Sequence, residues 1–390
     1  MIPLLNGLRI LDLTSVILGP YGTQILGDLG AEVIKVEPPE GDSMRLAAPG
    51  MSAIFANFNR NKRSVVLDLK AEAGRAVLMK LIGTADAFVH NMRQEAMDKL
   101  GFTFKAVRNA NPRIVYAAAI GFGRQGRYAG KPAYDDVIQA ASGFAGLFQM
   151  RDGAPLYAPS IAADKVSGLH LAYAVLAALL YRERTGEAPG YVEVPMFELM
   201  AAFSLSEHLG AATFEDEGKI GYVRVISPSR KPYRTKDGWV GVLPYSQRNW
   251  TKVLAEIGRA DVADLAWFKN PTERSRRVDE LYEILAEAMP VRTTAEWVAT
   301  FERLDIPHAP VRAPQDLLHD PHLADVGFFA CNFAAETPVQ RTLRQAVTVE
   351  DAATTPDLPP PPLGADTEAV LREAGCSEAE IAAARQRGKP

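Results

Sequence analysis

The feature that most restricts what this chain can fold into is the alternation of apolar runs in its first third. Short runs with strand character recur at residues 8–14 (LRILDLT), 31–37 (AEVIKVE), 64–70 (SVVLDLK), 86–91 (DAFVHN) and 112–123 (PRIVYAAAIGFG). Helix-like stretches separate them, notably 19–30 (GPYGTQILGDLG) and 71–85 (AEAGRAVLMKLIGTA). Strands separated by helices of this size predict right-handed βαβ units and a parallel sheet. The expectation is an α/β protein whose large domain has a Rossmann-like layout.

The middle of the chain reads differently. Residues 231–244 (KPYRTKDGWVGVLP) predict a hairpin around Asp237-Gly238, and two helical patterns follow between 246 and 304. A smaller α+β domain is therefore expected over 225–325, with the large domain over 1–200 and completed by 330–390. Residues 201–224 and 326–365 read as connectors, the second containing the proline-rich PDLPPPPLGA.

Composition removes several classes of function. At 390 residues, with a formal net charge of −4, the chain is long enough for two domains and does not read as a nucleic-acid binder. Cys331 and Cys376 offer neither a disulfide framework nor metal-ligand spacing, and His319 and His322 lack further ligands, so no metal is expected. The longest apolar run, 169–181, is short for a bilayer span, and the N-terminal stretch lacks the basic start of a signal peptide. A cytoplasmic protein with no membrane partner is expected.

One carboxylate calls for explanation. Asp164 follows Ala162 and Ala163 and opens a long apolar helix. It reads either as a helix N-cap or as a nucleophile that small neighbours leave open to a substrate. The helix dipole should keep it ionised, and amides near the helix start are placed to stabilise a tetrahedral oxyanion. A dinucleotide site is not supported, because Gly19, Gly22 and Gly27 miss the G-x-G-x-x-G spacing, although Glu37 ends a strand where a ribose-binding acid would stand.

Five segments, in order and register, resemble the class III CoA-transferases, the group of formyl-CoA:oxalate and carnitine CoA-transferases with α-methylacyl-CoA racemase as a relative. They are GPYGTQILGDLGAEVIKVEPPEGDSMR (19–45), FNRNKRSVVLDLK (58–70), VHNMRQEAMDKLGF (89–102), NPRIVYAAAIGFGRQG (111–126) and KPAYDDVIQAASG (131–143). The resemblance implies that Asp164 is the nucleophile, that coenzyme A enters as substrate with no prosthetic group, and that two chains interlock as a homodimer. It implies CoA contacts at Arg45, Lys70, Asn91 and Lys99, of which the three cations also read as solvated surface charges. Met92 stands where relatives often place an aromatic near the adenine.

The same resemblance frames the substrate. No run of glycines resembling the family's active-site lid occurs; residues 215–234 instead carry Arg224, Arg230, Lys231 and Arg234, which suit a second carboxylate or form a solvated loop. The expected reaction moves CoA from an acyl-CoA to a free carboxylic acid, with a short dicarboxylate on one side. In the racemases a histidine stands where this chain has Tyr134, and an ordinary tyrosine is a poor base at neutral pH. Racemase activity and a non-catalytic CoA-binding protein are the alternatives. Asp135, beside Tyr134, reads either as a second site carboxylate or as a helix cap.

Overall fold

The apolar runs of the first third form parallel strands of one sheet. The computed structural model describes residues 1–46, 52–331, 339 and 341–385. Its first elements are β1 (Arg9–Leu13), α1 (Leu18–Asp28), β2 (Glu32–Glu37), α2 (Ala53–Asn59), β3 (Lys62–Val66), α3 (Glu72–Gly83), β4 (Ala87–His90), α4 (Gln94–Leu100), α5 (Phe104–Ala110) and β5 (Val115–Ile120). There follow α6 (Asp135–Ala141), α7 (Phe144–Asp152), α8 (Ala162–Thr185), β6 (Val192–Pro195) and α9 (Met196–Leu205). The six strands lie in the order β3-β2-β1-β4-β5-β6, with every neighbouring pair parallel. The order reverses between β1 and β4, and in open α/β sheets a reversal leaves a crevice beyond the carboxyl ends of the strands.

Side-chain alternation explains why these strands read as unbroken apolar runs. Leu11, Leu13, Ile34, Val36, Phe88 and Tyr116 face one core, with residues of α3, α5 and the C-terminal helices. Ile10, Val33, Ala87, Val89, Val115, Ala117 and Val194 face the other, with residues of α1, α8 and α9. A sheet buried on both faces has no polar side to show in the pattern.

The third strand departs from expectation. It pairs over Lys62–Val66 rather than 64–70. Its start is polar but buried: the Lys62 ammonium donates to Asp12 Oδ2 (3.0 Å), Thr23 Oγ1, Asn59 Oδ1 and the Pro20 carbonyl (each 2.9 Å). Its end leaves the sheet at a turn in which Asp68 Oδ1 accepts the Lys70 N–H at 3.0 Å.

α1 and α8 cross closely. A Cβ on Gly22 would lie 2.8 Å from the Gly168 carbonyl oxygen, and one on Gly168 would lie 2.8 Å from the Leu18 carbonyl oxygen. A Cβ on Gly19 would collide with Thr14 at 2.2 Å. These glycines therefore serve backbone approach, which brings the start of α8 beside the turn after β1. Among the described residues α8 is the one helix long and apolar enough to cross a membrane. It packs against α1, α6, β5 and β6, as a core helix does.

The chain divides into two units: Met1–Phe144, Tyr157–Phe203 and His322–Pro390 form the first, and Ala145–Leu156 with Ser204–Pro321 the second. In the second, β7 (Tyr233–Arg234) and β8 (Trp239–Val242) make the hairpin about Asp237-Gly238. Where two helical patterns are expected there are six helices: α10 (Gln247–Glu256), α11 (Ala260–Ala263), α12 (Ala266–Lys269), α13 (Pro271–Arg276), α14 (Val278–Ala288) and α15 (Thr294–Leu304). The breaks are chemical. Gly258 adopts φ +75°, and the Asn270 side chain accepts the Thr272 and Glu273 amides to start a new helix at Pro271. β9 (His308–Pro310) joins β8, and Trp250, Phe268, Tyr282, Trp297 and Phe301 fill the core of this unit. α16 (Pro321–Asp325) leads to β10 (Phe329–Cys331) and β11 (Arg341–Leu343). The expected connector over 326–365 thus contains a strand pair, and part of it, residues 332–338 and 340, lies outside the described residues. α17 (Thr367–Glu373) and α18 (Glu378–Arg385) close the first unit against β3 and α3.

Candidate active site

A cavity of about 580 Å³ opens where the strand order reverses. Its wall comes from the turn after β1 (Ser15–Leu18), the segment after β4 (Asn91–Glu95), the loop after β5, and the first turn of α8 at Asp164. Every lining residue belongs to the first unit.

The turn after β1 is held in an unusual conformation. Val16 has φ +69°, a region that a β-branched residue occupies at a cost of about 1–3 kcal/mol. The surroundings compensate. Asn91 Oδ1 accepts the Ser15 N–H at 3.0 Å, and its Nδ2 donates to the Ser15 carbonyl at 2.8 Å. Lys35 Nζ donates to the Thr14 carbonyl at 2.9 Å and pairs with Asp42 at 2.8 Å. Beneath, Asp12 accepts from the Thr14 backbone and from the Thr14 and Thr23 hydroxyls. Burial would raise the Asp12 pKa, but Lys62 and Lys35 outweigh it and hold the group at about 2. Asn91 thus lines the cavity while both ends of its side chain engage Ser15.

Asp164 is the third residue of α8, not its cap. The N-cap position is Ile161, and no side chain caps the helix there. The amides expected for an oxyanion are largely engaged: the Ala162 N–H donates to the Ser160 carbonyl (2.7 Å), Asp164 N–H to Asp135 Oδ1 (3.0 Å) and Lys165 N–H to the Ile161 carbonyl (3.1 Å). Nor does the helix dipole govern the charge. Burial, followed by repulsion from Asp135, pushes the Asp164 carboxyl up to about 7.

The other sequence candidates separate into two groups. Met92 and Tyr134 line the cavity with Asn91 and Asp164, and Tyr134 is 68% exposed. Asp135 is buried behind Asp164 and does not line it. Arg45, Lys70 and Lys99 do not line it either. The Arg45 guanidinium donates twice to Glu37 at 2.7 Å and once to the Pro361 carbonyl at 2.9 Å, and lies 3.8 Å from the Phe55 ring centre. Glu37, the ribose-acid candidate, is occupied by Arg45, Ser64 and the Asp42 amide. Lys70 and Lys99 are exposed. In the second unit, Arg224 donates to the Tyr282 hydroxyl at 3.0 Å, Arg234 lies over Trp239, and Arg230 is exposed.

Sequence reasoning missed the cations that do line the cavity: Arg93, Arg124 and Lys131. Arg124 is bound to Glu193 and lies 3.7 Å from the centre of the Tyr191 ring. Arg93 and Lys131 form no ion pair among the described residues, and Lys131 sits 4.2 Å from the Tyr128 ring centre. Signals existed for both, since Arg93 follows Asn91-Met92 directly and Lys131 opens the KPAYDD segment.

Fold and site together define an α/β protein with a carboxylate and several cations in a cavity at the sheet's switch point. Residues 5–367 match CoA-transferase family III, and the chain belongs to that family. It is 32% identical to the formyl-CoA:oxalate CoA-transferase of Escherichia coli O157:H7 over 98% of both chains. It is 34% identical to the probable fatty acyl-CoA transferase Rv3272 of Mycobacterium tuberculosis, over 75% of this chain and 79% of that protein. The crystal structure of Rv3272 superposes with a TM-score of 0.82 at 30% identity, covering 95% of this chain and 99% of that one. A CAIB/BAIF family protein from Brucella suis superposes with a TM-score of 0.78 at 26% identity, over 95% and 98%. The protein is thus a class III CoA-transferase, an enzyme whose substrates are CoA thioesters.

Proposed function

We propose that this enzyme moves CoA from an acyl-CoA thioester to a short free carboxylic acid through covalent intermediates on Asp164. Asp164 Oδ attacks the thioester carbonyl, the C–S bond breaks, and CoA thiolate leaves a mixed anhydride. Thiolate then attacks the Asp164 carbonyl carbon and releases the donor acid, giving aspartyl-CoA. The acceptor carboxylate displaces thiolate to form a second anhydride, and thiolate attacks the acceptor's acyl carbon to free Asp164. No net proton is transferred, so the site needs no proton carrier at Tyr134.

The observation that carries this reading is the Asp164 carboxyl in the cavity wall with its pKa pushed up to about 7. A half-buried carboxylate of that basicity is a stronger nucleophile than one in water and is still substantially ionised at neutral pH. Arg93 and Lys131 would hold the CoA phosphates or the acceptor's carboxylate, being the cavity cations that form no ion pair among the described residues. The oxalate CoA-transferases among the relatives support a short dicarboxylate as one substrate. The sheet order supports the Rossmann-like reading of the large unit. An interlocked homodimer belongs to this proposal; exposed Leu169, Tyr173 and Leu180 on α8 support a second chain covering that face.

The test is Asp164→Asn. With acetyl-CoA or succinyl-CoA and a panel of short mono- and dicarboxylic acids, the variant should bind CoA yet lose acyl exchange, and hydroxylamine should label only the wild-type aspartate during turnover. Near-normal exchange by the Asn variant, with deamidation excluded by mass spectrometry, would remove Asp164 from the mechanism.

A further inference from the structure

Helix α8 begins without a side-chain cap of its own, yet its first turn is not loose. A donor left unpaired there would cost about 1–3 kcal/mol and would let the turn fray. The missing acceptor comes from another helix. Asp135, the first residue of α6 and 7% exposed, directs Oδ1 at the Asp164 N–H (3.0 Å) and accepts on Oδ2 from Gln139 Nε2 (2.5 Å). Gln139 is fully buried, one helical turn further along α6. Its Nε2 also donates to the Ser160 carbonyl (3.2 Å), and its Oε1 accepts the Ala158 N–H (2.9 Å). Two side chains at i and i+4 on α6 therefore fasten the chain at three points between Ala158 and Asp164.

We propose that Asp135 is a positioning residue for Asp164: its buried carboxylate, braced by Gln139, fixes the first turn of α8 and aims the Asp164 side chain into the cavity. This assignment rests on Asp164 being the nucleophile. It also gives Asp135 an electrostatic role, because its charge acts with burial to keep the neighbouring carboxyl basic. The other charged or titratable groups around Asp164 are Asp136 on α6, Lys165 on α8, Arg93 and Glu95 of the α4 segment, and Arg124, Lys131, Tyr134 and Tyr191 across the cavity. A neutral acceptor would satisfy the Asp164 N–H equally well, so the charge is the part that capping this amide does not require.

Asp135→Asn separates the two parts. Asn keeps an acceptor for the Asp164 N–H and removes the charge, while its Nδ2 replaces the acceptor used by Gln139 Nε2, so the pH limb rather than kcat is its readout. The acid limb of kcat/KM for exchange of labelled free acid into acetyl-CoA or succinyl-CoA should then move down by about one pH unit, and only part of the way to an ordinary carboxylate, because burial persists. Asp135→Ala removes the acceptor as well, and should lower kcat about tenfold or more while KM for the thioester changes little, since misaiming a reacting group is costly. Unchanged pH limb in the Asn variant, an equal effect of both variants on KM and kcat, or loss of fold in both the Asn and an Asp135→Ser variant would each overturn the proposal in favour of a structural cap. An Asp164→Asn enzyme that still turns over identifies failure of the nucleophile assignment instead.

Discussion

Asp164→Asn should stabilise the protein at alkaline pH while removing its activity. Burial and the Asp135 charge push the carboxyl's pKa up to about 7, against the ordinary value of 3.8. Each unit corresponds to about 1.4 kcal/mol, so ionising Asp164 in the fold costs on the order of 4 kcal/mol. The sign follows from proton binding. Between pH 4 and 7 the unfolded chain has already released this proton and the folded chain still holds it, so stability falls as pH rises and the full penalty is present above about pH 7. Below pH 4 both states hold the proton and the penalty vanishes. Asn carries no charge at any pH and escapes the loss. The assay is thermal unfolding of variant and wild type at pH 5 and at pH 8, taken as the difference of the two Tm differences so that packing changes cancel. The variant's Tm should gain roughly 5–10 °C relative to wild type between the two pH values, given about 2–4 °C per kcal/mol for a unit of this size. An advantage that is the same at both pH values would refute the burial argument for Asp164.

Two further outcomes follow from the cavity. Arg93→Ala and Lys131→Ala should each raise KM for acyl-CoA about tenfold, with the loss shrinking at high salt, whereas Lys70→Ala and Lys99→Ala should change it by less than about twofold; steady-state kinetics at two ionic strengths decides, and the reverse ranking would return the CoA contacts to the latter pair. A 2-methylacyl-CoA incubated in heavy water should gain no deuterium at its α-carbon, read by mass spectrometry; incorporation at the rate of acyl transfer would make the enzyme a racemase despite Tyr134.

Much of the sheet was legible because a strand buried on both faces writes an unbroken apolar run. Arg9–Leu13, Glu32–Glu37, Ala87–His90 and Val115–Ile120 all fall inside the runs at 8–14, 31–37, 86–91 and 112–123. β3 was misjudged for a physical reason. Its first residues, Lys62 and Arg63, are polar, and Lys62 is buried only because Asp12, Thr23, Asn59 and the Pro20 carbonyl receive its ammonium. No local pattern announces a buried charge whose partners lie up to fifty residues away.

The site divides in the same way. Asn91, Met92, Tyr134 and Asp164 stand in short motifs of the sequence, and the fold brings them to one cavity. Arg45 reads as a CoA contact by residue type and motif position, but Glu37 and Phe55 hold it away from the cavity. Nothing local distinguishes Arg93 and Lys131 from other cations, because a cation's availability depends on which carboxylates the fold brings near it.

By itself the sequence determined the alternation of strand and helix, the parallel sheet, and a carboxylate at the start of a long helix. Those properties depend on neighbours within a few residues, where side-chain size and periodicity act directly. Tertiary structure decided the raised pKa of Asp164, the left-handed turn at Val16 and the contact of Asp135 with the Asp164 amide. Each depends on groups distant in sequence: Asp135 is 29 residues from Asp164, and Asn91 is 76 from Ser15. Desolvation and hydrogen bonding at such separations exist only once the fold has packed α6 against α8 and brought the turn after β1 beside Asn91.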